Sequence, residues 1–449
     1  MRITFIVVIS LFLTSFLVAQ EKQEDNEETK KGNLSGQWRN YYMHSFNEGE
    51  LQDWYALATG LKLKYTYNFN QHWQLGGAVF SSWNTGLSNV DVLDPTTGRG
   101  SRYVAGNFNV QDPAQRFIAF PGELYVQYRK GNHQMKIGRQ GFFSPFLNGQ
   151  DGRMIPTLFE GAFYKYEEKN KLKLQLGLVN RIAPRSYDGF ENIGQTLGIY
   201  PVGRDVNGQG SQYKGNSSSD YIALVNTDYQ LGSLKIELWD YYVDNIFNVI
   251  YIKPTYASNN SGFQVAIEWL LQNRVGDGGN DDPTLRYVQD ATAQLFGAQI
   301  SKSLPKGKLS LAYNYITQQG RFLFPREWGR EFLFSFQKRE RSEGFGNNHA
   351  LVMYYQRDFN WAEQKLKSIL SIGHQWKPAV TSPELTKYAV PNYMHINLDL
   401  FYENEKWNGL SPELLVTYKY GTGDFPDNPA FVLNKVNLFL INAIVNYNF

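Results

Sequence analysis

Apolar positions recur at every second residue through much of this chain. Between Leu57 and Phe69, Leu61, Leu63, Tyr65 and Tyr67 oppose Lys62, Lys64, Thr66 and Asn68. Leu172, Leu174, Leu176 and Leu178 oppose Lys171, Lys173 and Gln175, and Met394, Ile396, Leu398 and Leu400 oppose His395, Asn397 and Asp399. The C-terminus shows the pattern most clearly: Phe439, Ile441, Ala443, Val445, Tyr447 and Phe449 share one face, with Asn442, Asn446 and Asn448 on the other. A period of two predicts β-strands with one face toward an apolar phase and the other toward water. Eighteen such segments run from 36–44 to 433–449, most close to the ~10 residues that a tilted membrane-crossing strand needs. A secreted β-sandwich, with one wet face per sheet, accounts for each strand singly. Strand length, an N-terminal signal peptide and a last strand ending in Phe449 together favour an all-β fold, a transmembrane antiparallel β-barrel of about 18 strands, and the even count is what a closed antiparallel barrel has.

The connections divide into two kinds. Lys130-Gly131 and Lys169-Asn170 mark tight turns, whereas 84–121, 181–218, 272–290, 319–347 and 377–391 are long. Short periplasmic turns and long external loops are the expected assignment. Arg2, the apolar run from Ile3, and Leu17-Val18-Ala19 read as a signal peptide over residues 1–19. Residues 20–34 are too polar to fold alone and read as a periplasmic tail, leaving 35–449 as a single outer-membrane barrel domain. No later stretch approaches the roughly 18 unbroken apolar residues of a spanning helix. Aromatic residues make up 16% of the chain at a mean hydropathy of −0.44, which suits rings seated at membrane interfaces. A net charge of +2 argues against nucleic-acid binding. With no cysteine, neither a disulfide nor a lipoprotein anchor is available. A terminal strand ending in Phe449 resembles the assembly signal of outer-membrane barrels. The expected partners are therefore outer-membrane lipid, the barrel assembly machinery and small-molecule solutes, with the chain a monomer or a weak trimer.

One segment interrupts the wall. "GRQGFFSPFLNGQDGRMIPTLFEG", 138–161, places about 16 residues between two strands, too many for a hairpin turn, so its side chains need an interior to pack against. An 18-stranded barrel has an aqueous lumen that offers one. Folded inward, the segment forms a charged eyelet, with Phe142, Phe143, Phe146 and Leu147 anchoring it. The stretch resembles the constriction segment of the OprD-type substrate-specific porins, in which "GxQ…SP…DxRxxPxxFxG" recurs. The matching residues are Gly138, Gln140, Ser144, Pro145, Asp151, Arg153, Pro156, Phe159 and Gly161. Weaker similarity covers "GLKLKYTYNF" at 60–69 and "NNHALVMYYQRDFN" at 347–360. The resemblance implies an 18-stranded channel that passes small, commonly carboxylate-bearing solutes along a ladder of basic lumen residues, with Asp151 and Arg153 at the constriction.

Strand parity nominates Lys62, Lys64, Arg129, Lys171, Lys173 and Arg181 for the ladder. Arg139 is a third constriction candidate, although its parity matches Met135 and Ile137. Arg321, Arg326, Arg330, Arg339 and Arg341 read as solvated rim residues. No serine sits in G-x-S-x-G, the six histidines form no H-E-x-x-H, and dinucleotide and P-loop patterns are absent. The chain is therefore not read as an enzyme, and no catalytic residue or cofactor is expected. "GDGGNDD" at 276–282 reads as a solvated turn in preference to a calcium loop, because its spacing is irregular. The alternatives are a binding-only barrel, an adhesin or receptor, and behind that a barrel lipase.

Overall fold

The computed structural model describes residues 31–449 except 151 and 259, so the expected signal peptide and all but the end of the expected tail lie outside it. The wall begins with β1 (Gly32–Phe46), β2 (Trp54–Asn68), β3 (Trp73–Ser88), β4 (Phe117–Lys130), β5 (His133–Gln140) and β6 (Leu158–Glu168). It continues through β7 (Leu172–Ala183), β9 (Ile222–Leu231), β10 (Leu234–Val243), β11 (Phe247–Ala257), β12 (Phe263–Arg274) and β13 (Thr292–Leu304). β14 (Gly307–Ile316), β15 (Asn348–Trp361), β16 (Gln364–Trp376), β17 (Tyr393–Asn404), β18 (Leu410–Gly421) and β19 (Leu438–Asn448) complete it. The two-residue β8 (Glu191–Asn192) only extends the edge of β7, so of nineteen strands eighteen form the wall.

Wall neighbours pair antiparallel throughout, and β1 closes the ring on β19 with Trp38 opposite Tyr447. Closure lets the backbone amides pair without an edge, which a membrane span requires. The connections 69–72, 131–132, 169–171, 232–233, 258–262, 305–306, 362–363 and 405–409 are short and share one end of the barrel. The segments 89–116, 141–157, 184–221, 275–291, 317–347, 377–392 and 422–437 belong to the other end. Alternation has the expected sense: Trp38, Leu61, Tyr65, Leu176, Val445 and Tyr447 are exposed on the outer face, while Asn442 and Asn446 are buried inside.

Several boundaries differ from expectation by a few residues, and the two terminal ones have a visible cause. The first strand starts at Gly32, inside the expected tail, because Gly32 and Leu34 extend the ladder opposite Tyr67 and Tyr65. The last strand starts at Leu438 instead of 433. Asn434 and Asn437 take φ of 61° and 51°, left-handed values that break an extended run, and a single helical turn, Pro429–Val432, precedes them. At the opposite terminus the Phe449 amide donates to Gly36 O at 3.1 Å and the Gly36 amide to Phe449 O at 2.8 Å, so the last residue still belongs to the seam.

Unheated and boiled samples of the membrane-inserted chain are expected to migrate differently on a denaturing gel. Phe449→Asp puts a charge at the lipid-facing closing seam and is expected to abolish the heat-modifiable species. Identical migration of parent and variant would contradict this closure.

Candidate permeation site

Residues 141–157 leave the wall where β5 ends. Gly138 takes φ 118°, and a Cβ there would collide with the carbonyl of Leu124 on the neighbouring strand, so glycine is required just before the chain turns inward. The Ser144 amide donates to Leu147 O at 2.8 Å and closes a tight turn that presents Phe146 to β10 and β11. Phe146 is fully buried, with its ring 5.6 Å from that of Tyr241, 5.3 Å from Tyr251 and 5.3 Å from Phe324. Phe142 stacks on Phe163 at 4.5 Å. Truncating a buried phenylalanine costs about 3–5 kcal/mol, so Phe146 acts as the peg that holds the segment inside.

A second segment, 317–347, also folds into the lumen and locks onto the first. Asn148 donates to Arg330 O at 2.9 Å, Gln150 to Arg326 O at 2.6 Å, and the Phe332 amide to Pro145 O at 3.0 Å. From Phe334 to Glu340 it crosses the inner wall strand by strand. The Phe334 amide donates to Glu268 on β12 and the Ser335 amide to Asn314 on β14, while Tyr354 on β15 donates to Phe334 O and Phe336 O. Gln337 donates to Ser371 on β16 and to His395 O on β17, where Lys338 also pairs with Asp399 at 2.7 Å. Lys419 on β18 donates to Arg339 O and pairs with Glu340. Arg339 donates to Asn442 on β19 and to the Tyr41 hydroxyl on β1. The inward polar positions of eight strands thus hold one belt of chain.

The two segments divide the lumen. On the long-loop side lies a cavity of about 800 Å³, and toward the short turns lies one of about 90 Å³; Arg330 and Arg339 border both. Arg153 borders the larger one, is 4% exposed, and donates to Gly152 O at 2.7 Å and Tyr103 O at 3.1 Å. Its Nε has no partner among the described residues. Burial, and then the adjacent Arg339, push its guanidinium well below the ordinary arginine value. Arg330 lies in the same condition, lowered by burial and then by Arg339, Arg185, Arg341 and Arg153. Several other charges are neutralised. Glu343 accepts from Arg326 at 2.9 Å and pairs with Lys387 at 3.3 Å; burial alone would raise its carboxyl, but Lys387 and Arg326 outweigh that and hold it low. Among the described residues, no carboxylate pairs with Arg153, Arg330 or Arg339, and cationic charge is left in excess at the division.

The expected ladder is distributed differently. Lys62 and Lys64 face the lumen but share Glu123 at 3.5 and 2.6 Å. Lys173 faces Asp228 at 4.0 Å, and Arg129 donates to Gln127. Lys171 lies in a turn at the short-turn rim, paired with Glu168 at 3.0 Å, and is not a wall residue. Arg139 keeps the outward parity of Met135 and Ile137; it pairs with Glu160 at 2.6 Å and lies over Phe190 at 4.8 Å. Arg181, opposite Glu160 in the ladder, donates to Phe190 O. Neither Arg139 nor Arg181 borders either cavity: alternation turns Arg139 away from the lumen, and the register irregularity between Glu160 and Gly161, which pair with Arg181 and Val179, moves Arg181 from the face of Lys173 to that of Glu160. Asp151 lies outside the described residues. The arginines expected at the rim are interior: Arg321 is buried, and Arg326, Arg330, Arg339 and Arg341 line the larger cavity. The missed signal was compositional. "RFLFPREWGREFLFSFQKRERSE", 321–343, interleaves bulky rings with charges of both signs, which marks a segment that packs inside and pairs its charges.

Lys435, in the connection 422–437, is pushed down to about 7 by burial and then by the charges of Arg99, Arg102 and Arg204. The groups facing it are those three guanidinium groups, the carbonyls of Ala389 and Ala430, and the Phe431 ring. Below pH 7 the ammonium adds charge to the external cavity, and above it the charge is lost. Anion preference, read as reversal potential across a salt gradient, is expected to be greater at pH 6 than at pH 8, and Lys435→Met is expected to remove that difference. A pH response unchanged in Lys435→Met would contradict the assignment.

Three solved structures share the fold at low sequence identity. Pseudomonas aeruginosa OccD3 (OpdP) superimposes with a TM-score of 0.66 at 16% identity, over 94% of this chain and 91% of that one. P. aeruginosa OpdK, solved with vanillate, gives 0.69 at 14% over 94% and 99%, and P. aeruginosa OccK2 (OpdF), solved in complex with glucuronate, gives 0.66 at 13% over 94% and 98%. No curated protein matches the sequence. Residues 29–364 match the family described as "outer membrane porin, OprD family". That match covers well over half the sequence and the structures share its eighteen-stranded wall, so this chain belongs to the OprD family of outer-membrane porins.

Proposed function

We propose that the barrel passes small carboxylate-bearing solutes by diffusion through a water-filled lumen narrowed to a cationic eyelet. The observation that carries this reading is the group of guanidinium side chains at the division, Arg153, Arg330 and Arg339, which no carboxylate neutralises among the described residues. A guanidinium presents a planar fork to a carboxylate and is weakly hydrated, so it replaces the solute's water shell at modest cost. Fixed groups on a braced segment keep the field in place while the solute moves. The vanillate and glucuronate seen with two relatives each carry one carboxylate, which agrees with this class of solute. The lipid-facing seam at Phe449 supports delivery by the barrel assembly machinery.

Arg153→Ala is expected to lower anion preference and to slow uptake of a monocarboxylate more than that of a neutral sugar, and Arg153→Lys is expected to retain charge but lose part of the discrimination. Lys171→Ala, at the exposed rim, serves as the control and is expected to match the parent. Reversal potential and liposome-swelling rates measure both effects. If Arg153→Ala, correctly folded, kept the parent's reversal potential and carboxylate flux, the eyelet assignment would be wrong.

A further inference from the structure

The larger cavity carries more positive charge than one carboxylate engages, and that charge is arranged in two groups. The eyelet group is Arg153, Arg185, Arg330 and Arg339; in it the Nε atoms of Arg153, Arg185 and Arg339 are buried without an acceptor among the described residues. The second group, Arg99, Arg102, Arg204 and Lys435, belongs to the external connections 89–116, 184–221 and 422–437. Its hydrogen bonds go to backbone carbonyls: Arg99 to Ala430 O at 3.2 Å, Arg204 to Thr386 O at 2.9 Å, and Lys435 to Ala389 O at 3.1 Å. Among the described residues, no carboxylate lies within ion-pair distance of either group. Eight cationic groups around one cavity repel one another, and a bound anion relieves that repulsion.

Tyr103, Tyr200, Tyr388 and Phe431 line the same cavity, and Tyr200 lies beneath Arg185 at 5.6 Å. Flat apolar faces between cationic heads suit a ring that shows C–H groups on its faces and anions at its rim. The volume, about 800 Å³, falls within the roughly 300–1,000 Å³ occupied by drug-sized ligands and exceeds what a single small acid fills.

We propose that the preferred solute of this porin is an oligo-anionic saccharide of two to three rings, with one anionic group held by the external set around Arg102 and Arg204 and another by the eyelet set around Arg153 and Arg330. The proposal rests on the eyelet reading above and specifies its solute. Two anchored anions on one molecule act as linked epitopes, so the second engagement is intramolecular and the residence time is lengthened. The anion common to both sets is an oxyanion, met equally by a uronate carboxylate or a sugar sulfate.

Single-channel recording in planar bilayers tests it with galacturonate, digalacturonate, a disulfated disaccharide and neutral maltose. Digalacturonate is expected to block at a concentration at least about tenfold lower than galacturonate, and maltose to block least. Arg102→Gln and, separately, Arg99→Gln are expected to bring the digalacturonate-to-galacturonate ratio close to one. A disulfated disaccharide as effective as digalacturonate assigns the site to oxyanions generally, and a weaker one assigns it to carboxylates. Equal block by galacturonate and digalacturonate in the parent, or a ratio unchanged in both variants, overturns the two-set proposal while leaving the eyelet reading in place. Cation preference with no block by any acid overturns both.

Discussion

The lumen is organised by the contact between a belt of chain, 334–340, and the polar inner face of the wall. An eighteen-stranded ring leaves more interior than its own side chains fill, and a backbone segment laid across it needs partners for its amides and carbonyls. Glu268, Asn314, Tyr354 and Lys419 provide partners for its backbone, and Ser371, the His395 carbonyl and Asn442 accept from its Gln337 and Arg339 side chains, so that the wall holds the belt strand by strand. Residues 326–332, which lead into the belt, give Asn148 and Gln150 carbonyls to bond to and Pro145 an amide to accept. The first inward segment is thereby held from two sides, by residues 326–332 and by Phe146.

The same arrangement decides where charge is spent. Basic residues on the wall have acidic neighbours across the strands, as Lys62 and Lys64 have Glu123, and Lys235 and Lys253 have Asp228 and Glu237. Acidic residues of the second inward segment, 317–347, are used to bind it: Glu340 to Lys377 and Lys419, Glu343 to Arg326 and Lys387. What is left unneutralised is a set of arginines on connections, gathered where the passage divides. On the proposed reading, selectivity depends more on the braced loops than on the wall.

The wall was legible in the sequence because a half-buried strand has a period of two and a spanning strand a known length. The alternation of Leu172–Leu178 and Phe439–Phe449 needed no tertiary information. Residues 138–161 were legible for a different reason: glycine, proline and aromatic residues in a long break between strands demand an interior. The belt was not. The arginines leading into and out of it look the same in sequence whether they are solvated at a rim or buried against Glu343 and Glu331, since an interleaving of charges of both signs does not by itself say which of them pair. Arg139 shows the limit from the other side. Its place beside the eyelet segment suggested the lumen, but its parity with Met135 and Ile137 was the stronger physical signal.

Replacing residues 141–156 by a short glycine–serine link, with β5 and β6 intact, tests most directly whether inward segments set the passage. Single-channel conductance is expected to rise severalfold and anion preference to fall, because the eyelet loses Arg153 and the belt loses its brace. Parent-like conductance and selectivity in a variant that remains heat-modifiable would contradict the account and place the limiting constriction in the wall.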